Sequence, residues 1–322
     1  MKWNGKIVGM SASVLVLVML VWGWWVSEEP AVFSVSERVQ SINPAATEQP
    51  PVGVYTTTAL IEVLNELLHK RGGYLSNDVM PPTVWLDDLP SWEFGALEMS
   101  RDLALAMRRE FSRSQSQSLQ MPQLTAAQTS LNIDHESWML PVAESEYANA
   151  VDSLRLYRQA LLDGNFSAQF YARADNLRSW IAEVEKRLGS LSQRLSASVA
   201  QVDAKLAEEI ALNPATQQLS LQTSWWEIDD VFYEARGASY ALLHFLKAVE
   251  VDFADVLENK NAAVSMRQII TELEATQQPV WSPMILNGSG FGFVANHSLV
   301  MANYVSRANA ALIDIKDLLA QG

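Results

Sequence analysis

The chain has 322 residues, 49% of them hydrophobic and 19% charged, enough to bury the core of one large or two small globular domains. Its formal charge of −14 argues against nucleic acid as a partner, because so acidic a surface repels phosphate backbones. With no cysteine, disulfides, thiolate metal sites and cysteine nucleophiles are all excluded.

The first element is the most distinct. From Ile7 to Val26 there is no charged residue, and twenty helical residues at about 1.5 Å each span roughly the 30 Å of a bilayer core. Lys2 and Lys6 precede this run and Glu28 and Glu29 follow it. The positive-inside rule therefore predicts residues 1–6 as a cytoplasmic stub and 7–26 as a single transmembrane anchor, with the remainder exported. Trp22, Trp24 and Trp25 cluster at the outer end, where indole rings favour the headgroup layer. A cleaved signal peptide would need a shorter apolar core and small residues before the cut, and Trp24-Trp25-Val26-Ser27 offers none. The exported part is near −16 once the two lysines of residues 1–26 are set aside, which would keep it off anionic headgroups except through the anchor.

Residues 27–53 mix prolines and polar residues and read as a tether, leaving 54–322 as a periplasmic helical domain. Within it, long proline-free spans with apolar residues three and four apart predict helices. One runs from about Thr57 to Arg71, with Leu60, Val63, Leu64, Leu67 and Leu68 as its stripe and Gly72-Gly73 as its stop. A second follows the motif WLDDLPSWEFG (85–95) and fades into a polar loop after Phe111. A third covers about Ala143 to Asp163. The fourth is a heptad seam: Leu177, Ile181, Val184, Leu188, Leu191, Leu195, Ser198 and Val202 repeat at four-three spacing. Its flanks offer no opposite-charge pairs for an identical partner, which favours packing within the chain over a dimeric coiled coil. The fifth starts at TSWWEIDD, where Ser224 and Glu227 have capping-box spacing, and Gly237 inside it marks a bend or a close helix contact. Further helices are expected at about 261–276 and 297–320. No alternating strand pattern appears, so the expected fold is all-α: one N-terminal transmembrane helix, then an exported multi-helix bundle with one long heptad-patterned helix.

Four strings, LPSWEFG (89–95), FYARADNLRSWIAEVEKRLGSLSQRLSASV (170–199), WWEIDDVFYEARGASYALLHFLKAVEVDF (225–253) and QPVWSPMILNGSGFGFVANHSLVMANY (278–304), resemble the bacterial domain of unknown function 2333 family of membrane-anchored proteins. The resemblance covers nearly all of the chain beyond the anchor. It implies an inner-membrane protein with a periplasmic domain and carries over no catalytic residue.

Four features invite a chemical reading. Asp87, Asp88 and Glu93 could form an acid/base set with Trp85 and Trp92 as sugar platforms, since glycoside hydrolysis wants carboxylates roughly 5 to 9 Å apart. The structural alternative has Pro90 and Ser91 open a helix, with Glu93 in its first turn where the dipole favours negative charge. Gly288, Gly290 and Gly292 suggest a phosphate loop but lack the strand and the lysine, and read better as a turn able to touch a partner. Glu66 and His69 form a lone E-x-x-H, whereas di-iron bundles need two. Glu227, Asp229, Asp230 and Glu234 form an acidic run that could attract a cation, but more simply is a solvated face that engages Arg236. Trp85, Trp92, Glu227, Asp230, Glu234 and the three glycines are thus interaction-surface candidates. No cofactor is expected. The expected partners are the inner membrane through residues 7–26 and an envelope protein. A sensor for a small envelope molecule, or an enzyme acting on cell-wall glycan or lipid, are the alternatives.

Overall fold

The structure is a computed structural model that describes residues 5–42, 49–113, 120–164, 168–198, 223–280, 282, 284–286 and 295–321. Among the described residues there are 11 helices and no strand, so the fold is all-α as the periodicity predicts. Helix α1 (Gly5–Val26) is apolar, with mean hydropathy 1.8 over Gly9–Val26, and is long enough to cross a membrane. Its shaft is exposed; only its far end meets the rest of the chain.

Residues 27–42 are not a slack tether. Arg236 pairs with Glu29 at 2.6 Å, Tyr240 Oη donates to the Ala31 carbonyl at 3.2 Å, and the Phe33 amide donates to His244 Nε2 at 3.1 Å. Helix α2 (Val35–Ile42) then buries Val35 and Val39 in the main core. The polar composition hid this because so few apolar side chains secure the strap; backbone groups and ion pairs supply the rest.

Helix α3 (Val54–His69) starts at Gly53, whose φ of 94° and close approach to Phe170 leave no room for a side chain. Its first amides are capped from a distance: the Asp252 carboxylate accepts from Gly53 N at 2.8 Å and from Thr56 N and Oγ1, each at 2.7 Å. Helix α4 (Asp88–Ala106) runs on as a π turn, Met107–Phe111. The polar segment 112–123, read as a loop, lies partly outside the described residues. At its end Pro122 opens α5 (Pro122–Leu131), a helix not predicted from the sequence, with proline where a missing N–H does no harm. Helices α6 (Ala143–Leu162) and α7 (Ala174–Ser196) follow at their expected places.

Helix α8 (Ile228–Asp252) is central: from Ala235 to Leu246 every residue is buried, while its acidic start and parts of its end at Lys247–Val251 reach toward the surface. It breaks at Phe253 before the short α9 (Ala254–Asn259). Ser224 caps no amide with its side chain; a 3-10 turn, Trp225–Glu227, leads in, so the expected capping box is absent. Helices α10 (Ala263–Thr276) and α11 (His297–Ala320) complete the bundle. The seam residues Leu177, Ile181, Val184, Leu188, Leu191 and Leu195 are all buried in the chain's own core, where α7 lies along α11. Val202 lies outside the described residues.

The broadest helix pair is α4 with α8. A Cβ on Gly95 would stand 2.0 Å from the Glu234 carbonyl oxygen, and one on Gly237 would stand 1.9 Å from that of Trp92. Gly237 is therefore a close-contact glycine, answered by Gly95 on the facing helix. Backbones that touch this closely bring the starts of the two helices to the same corner of the molecule.

Candidate functional site

That corner is where the candidate motif meets the end of α1. Asp87 is the N-cap of α4, its carboxylate accepting from the Asp88 amide at 3.1 Å. The helix thus begins ahead of Pro90, and Trp92 and Glu93 fall in its second turn on the inward side. Both are 0% exposed. Trp92 packs on Tyr240 with ring centroids 5.0 Å apart, so it is no surface platform, whereas Trp85 is 68% exposed.

Glu93 is a buried fastener. Its carboxylate pairs with Lys70, accepts from the amides of Leu75 (2.9 Å) and Ser76 (2.8 Å), and accepts from Ser76 Oγ at 2.5 Å. Burial pushes this carboxyl above its ordinary value, while Lys70, Ser76 and Leu75 oppose the shift. An enclosed, fully bonded carboxylate cannot reach a substrate, and it is not the first-turn dipole partner expected either. The signal was available: Glu93 lies four residues after Leu89 and four before Leu97, inside the apolar stripe of α4.

The segment held by Glu93, residues 70–76, is also the seat of α1. Gly72 has φ 85°, and a Cβ there would stand 3.0 Å from that of the fully buried Val26. Arg71 stacks over the Trp25 ring at 5.9 Å and pairs with Glu28. Leu86, at the start of the motif, lies 3.9 Å from where a Cβ on Gly23 would be. Trp22, Trp24 and Trp25 are all exposed around this junction.

Above it, the N-terminal ends of α4 and α8 gather acids. Asp88 is pushed up to about 7, chiefly by burial, then by Asp87, Asp229, Asp230 and Glu29. Asp230 is raised by burial, with Ser91 Oγ opposing as it donates at 2.9 Å. Two helix N-termini supply partial positive charge that offsets some of this repulsion. Glu227 is exposed, and Glu234 pairs with Arg194. Arg236 does not engage the acidic run. It pairs with Glu29 and donates to the carbonyls of Thr276 and Gln278, each at 2.9 Å. Chemically, Asp88 can hold a proton near neutrality.

The E-x-x-H pair is used locally: Glu66 lies 3.4 Å from Arg38, and His69 Nδ1 lies 3.0 Å from the Asn65 carbonyl. Among the described residues no three His, Cys, Asp or Glu side chains converge as a metal set. Gly288, Gly290 and Gly292 lie outside the described residues. Sequence reasoning missed His244, whose burial drops it to about 4 and whose ring stacks on Phe33 at 3.9 Å. Nε2 accepts from Phe33, so Nδ1 carries the proton donated to the Tyr240 carbonyl at 2.7 Å. Two clefts are worth naming. One of about 620 Å³ is lined by Asp102, Arg109, Glu110, Arg178 and Lys316; another of about 330 Å³ lies between α8, α10 and α11, with Phe232, Arg236, His297, Met301 and Tyr304.

Over residues 1–322 the chain matches a family profile described as an uncharacterized protein conserved in bacteria (DUF2333). No curated protein and no solved structure matches it.

Proposed function

We propose, for a chain that belongs to the DUF2333 family of uncharacterised bacterial proteins, a role as a membrane-anchored envelope scaffold that works through protein contacts rather than catalysis. In this reading α1 spans the inner membrane with residues 1–6 in the cytoplasm, and the helical domain stands in the periplasm. The observation that carries it is the junction: Val26, Trp25 and Glu28 lie against Gly72 and Arg71, so the end of the apolar helix is seated on the bundle. A secretion signal destined for removal has no use for such a seat. Against catalysis stands the way the buried ionisable groups are spent: Glu93 fastens a turn, Asp252 caps α3 and His244 holds the strap.

In-cell crosslinking from the bundle surface tests the scaffold role, with a discrete protein partner trapped reproducibly as the expected result; none trapped from several positions would overturn it. A C-terminal export-dependent reporter tests the topology separately and should be active. The small-molecule alternative attaches to the 330 Å³ cleft, which has a mixed apolar and polar lining and lies within the usual size of ligand sites. Thermal shifts with cell-wall fragments, lipids and amino acids would favour it over the scaffold. Cleavage of glycan through Asp87, Asp88 and Glu93 is disfavoured by the enclosure of Glu93.

A further inference from the structure

We propose that two apolar loops beside α1, residues 79–86 and 137–142, rest in the headgroup layer of the bilayer that α1 crosses, so that the bundle is held down on the membrane surface. This deepens the anchored reading above and rests on it. The first loop exposes Val79, Met80 (72%), Val84 and Trp85 (68%); the second exposes Trp138, Met139 and Leu140 (90%). Seven large apolar side chains at two adjacent tips form the kind of patch that marks an interaction surface. Neither loop contains a charged residue, while Asp78, Asp87 and Glu136 flank them just outside.

Height identifies the occupant. At 1.5 Å rise per residue, Gly23 lies about 4.5 Å below the end of α1, between Trp22 and Trp24, the level at which indoles favour the bilayer interface. Leu86 Cδ2 stands 3.9 Å from where a Cβ on Gly23 would be, so the chain at Val84 and Trp85, just before Leu86, runs beside this end of α1. In this proposal their exposed side chains meet lipid headgroups. The second loop is tied to the first. Asn77 Nδ2 donates to the Ser137 carbonyl at 3.0 Å and Tyr74 Oη donates to that of His135 at 3.1 Å, placing 137–140 beside the start of 79–86. Both tips are built rather than slack: Thr83–Trp85 is a 3-10 turn, and Ser137 Oγ donates to the Pro141 carbonyl at 2.6 Å. Leu140 is held at φ 42°, an unfavourable conformation that keeps a large apolar side chain in the open. Without basic residues, attachment comes from apolar and indole insertion, so it needs no anionic lipid and withstands salt.

The chain has no cysteine, so a single introduced thiol reports alone. Full-length Trp85→Cys, Met139→Cys, Leu17→Cys and Val264→Cys variants would each carry an environment-sensitive dye in phosphatidylcholine vesicles containing headgroup-region nitroxide lipid. Blue-shifted, quenched emission at 85 and 139, unchanged by salt, with water-like emission at the exposed Val264 position on α10, is the expected result. If position 17 is in lipid while 85 and 139 resemble 264, this proposal fails and the anchor stands. If position 17 is also water-exposed, the anchor reading fails with it. Sites exposed to water in vesicles but shielded in native membranes would assign the patch to a protein partner and overturn the proposal.

Discussion

His244 and Asp88 pull stability in opposite directions with pH, and each can be isolated. His244 is lowered by burial from its model-peptide value of 6.5 to about 4, so the folded chain resists a proton that the unfolded chain accepts between those values. Its contribution is intact above pH 6.5 and is lost as pH falls toward 4, amounting to about 3 kcal/mol. In His244→Gln, which retains an acceptor for the Phe33 amide, that acid-side loss should vanish from unfolding curves measured at pH 7 and pH 4.5. Asp88 runs the other way: raised from 3.8 to about 7, it holds a proton in the folded state that the unfolded chain has released. Its contribution is full below pH 3.8 and is lost as pH rises through 7. Asp88→Asn should therefore stabilise the protein at pH 7.5 by about 1–2 kcal/mol, after solvent screening and the lost helix-dipole attraction, and do nothing at pH 3.5. The third buried group is a pair. Glu93→Gln leaves the Lys70 ammonium enclosed without a counter-charge, a change of about 3–5 kcal/mol that denaturant unfolding would register. Because Lys70 precedes Arg71 and Gly72, the same variant should also loosen the seat of α1, visible as faster amide exchange at Ser27, whose amide donates to the Gly23 carbonyl at 3.0 Å.

Among the elements, the contact of α4 with α8 turns on two glycines, and a third serves as control. Cβ atoms at Gly95 or Gly237 would collide with backbone oxygen, which no rotamer change relieves, so the helices must part and open the Trp92–Tyr240 packing. Gly237→Ala should cost about 1–3 kcal/mol despite the better helix propensity of alanine. Gly189 on α7 faces only the Asn309 side chain at 3.6 Å, an ordinary contact, so Gly189→Ala should stabilise by up to about 1 kcal/mol. Thermal unfolding of the two variants would show opposite signs. These elements also show what was legible beforehand. The stripe of α7 has clear four-three spacing and buries as that spacing requires, α3, α6 and α11 fall where helices were expected, and α1 is legible from its lack of charge. The strap at 27–33 was illegible because it is fixed by backbone carbonyls and by Arg236 and His244 more than 200 residues away, contacts that no local pattern encodes. Helix α5 hid behind a glutamine- and serine-rich approach. Glu93 was misplaced because a charged residue in a helix start invites a dipole reading, and only its phase with Leu89 and Leu97 betrays its burial.

For the whole molecule, if α1 spans the membrane as proposed, orientation and stability of the bundle should separate cleanly at the two ends of α1. Lys2 and Lys6 precede the apolar run and bear on orientation, since lysine and arginine dominate the positive-inside preference. Glu28 and Glu29 carry little weight in that preference, yet Glu28 pairs with Arg71 and Glu29 with the buried Arg236. Removing Glu29 leaves Arg236 with only carbonyl partners in a low-dielectric site, a loss of about 2 kcal/mol. Two double variants follow. Lys2→Gln with Lys6→Gln should reduce the activity of an export-dependent C-terminal reporter in cells while leaving the unfolding midpoint of the purified full chain unchanged. Glu28→Gln with Glu29→Gln should leave the reporter untouched and lower that midpoint, with amide exchange increasing first along residues 27–33. If the glutamate pair altered the reporter and not the midpoint, the junction would be a topological signal only, and the picture of α1 as a strut seated in the bundle would be wrong.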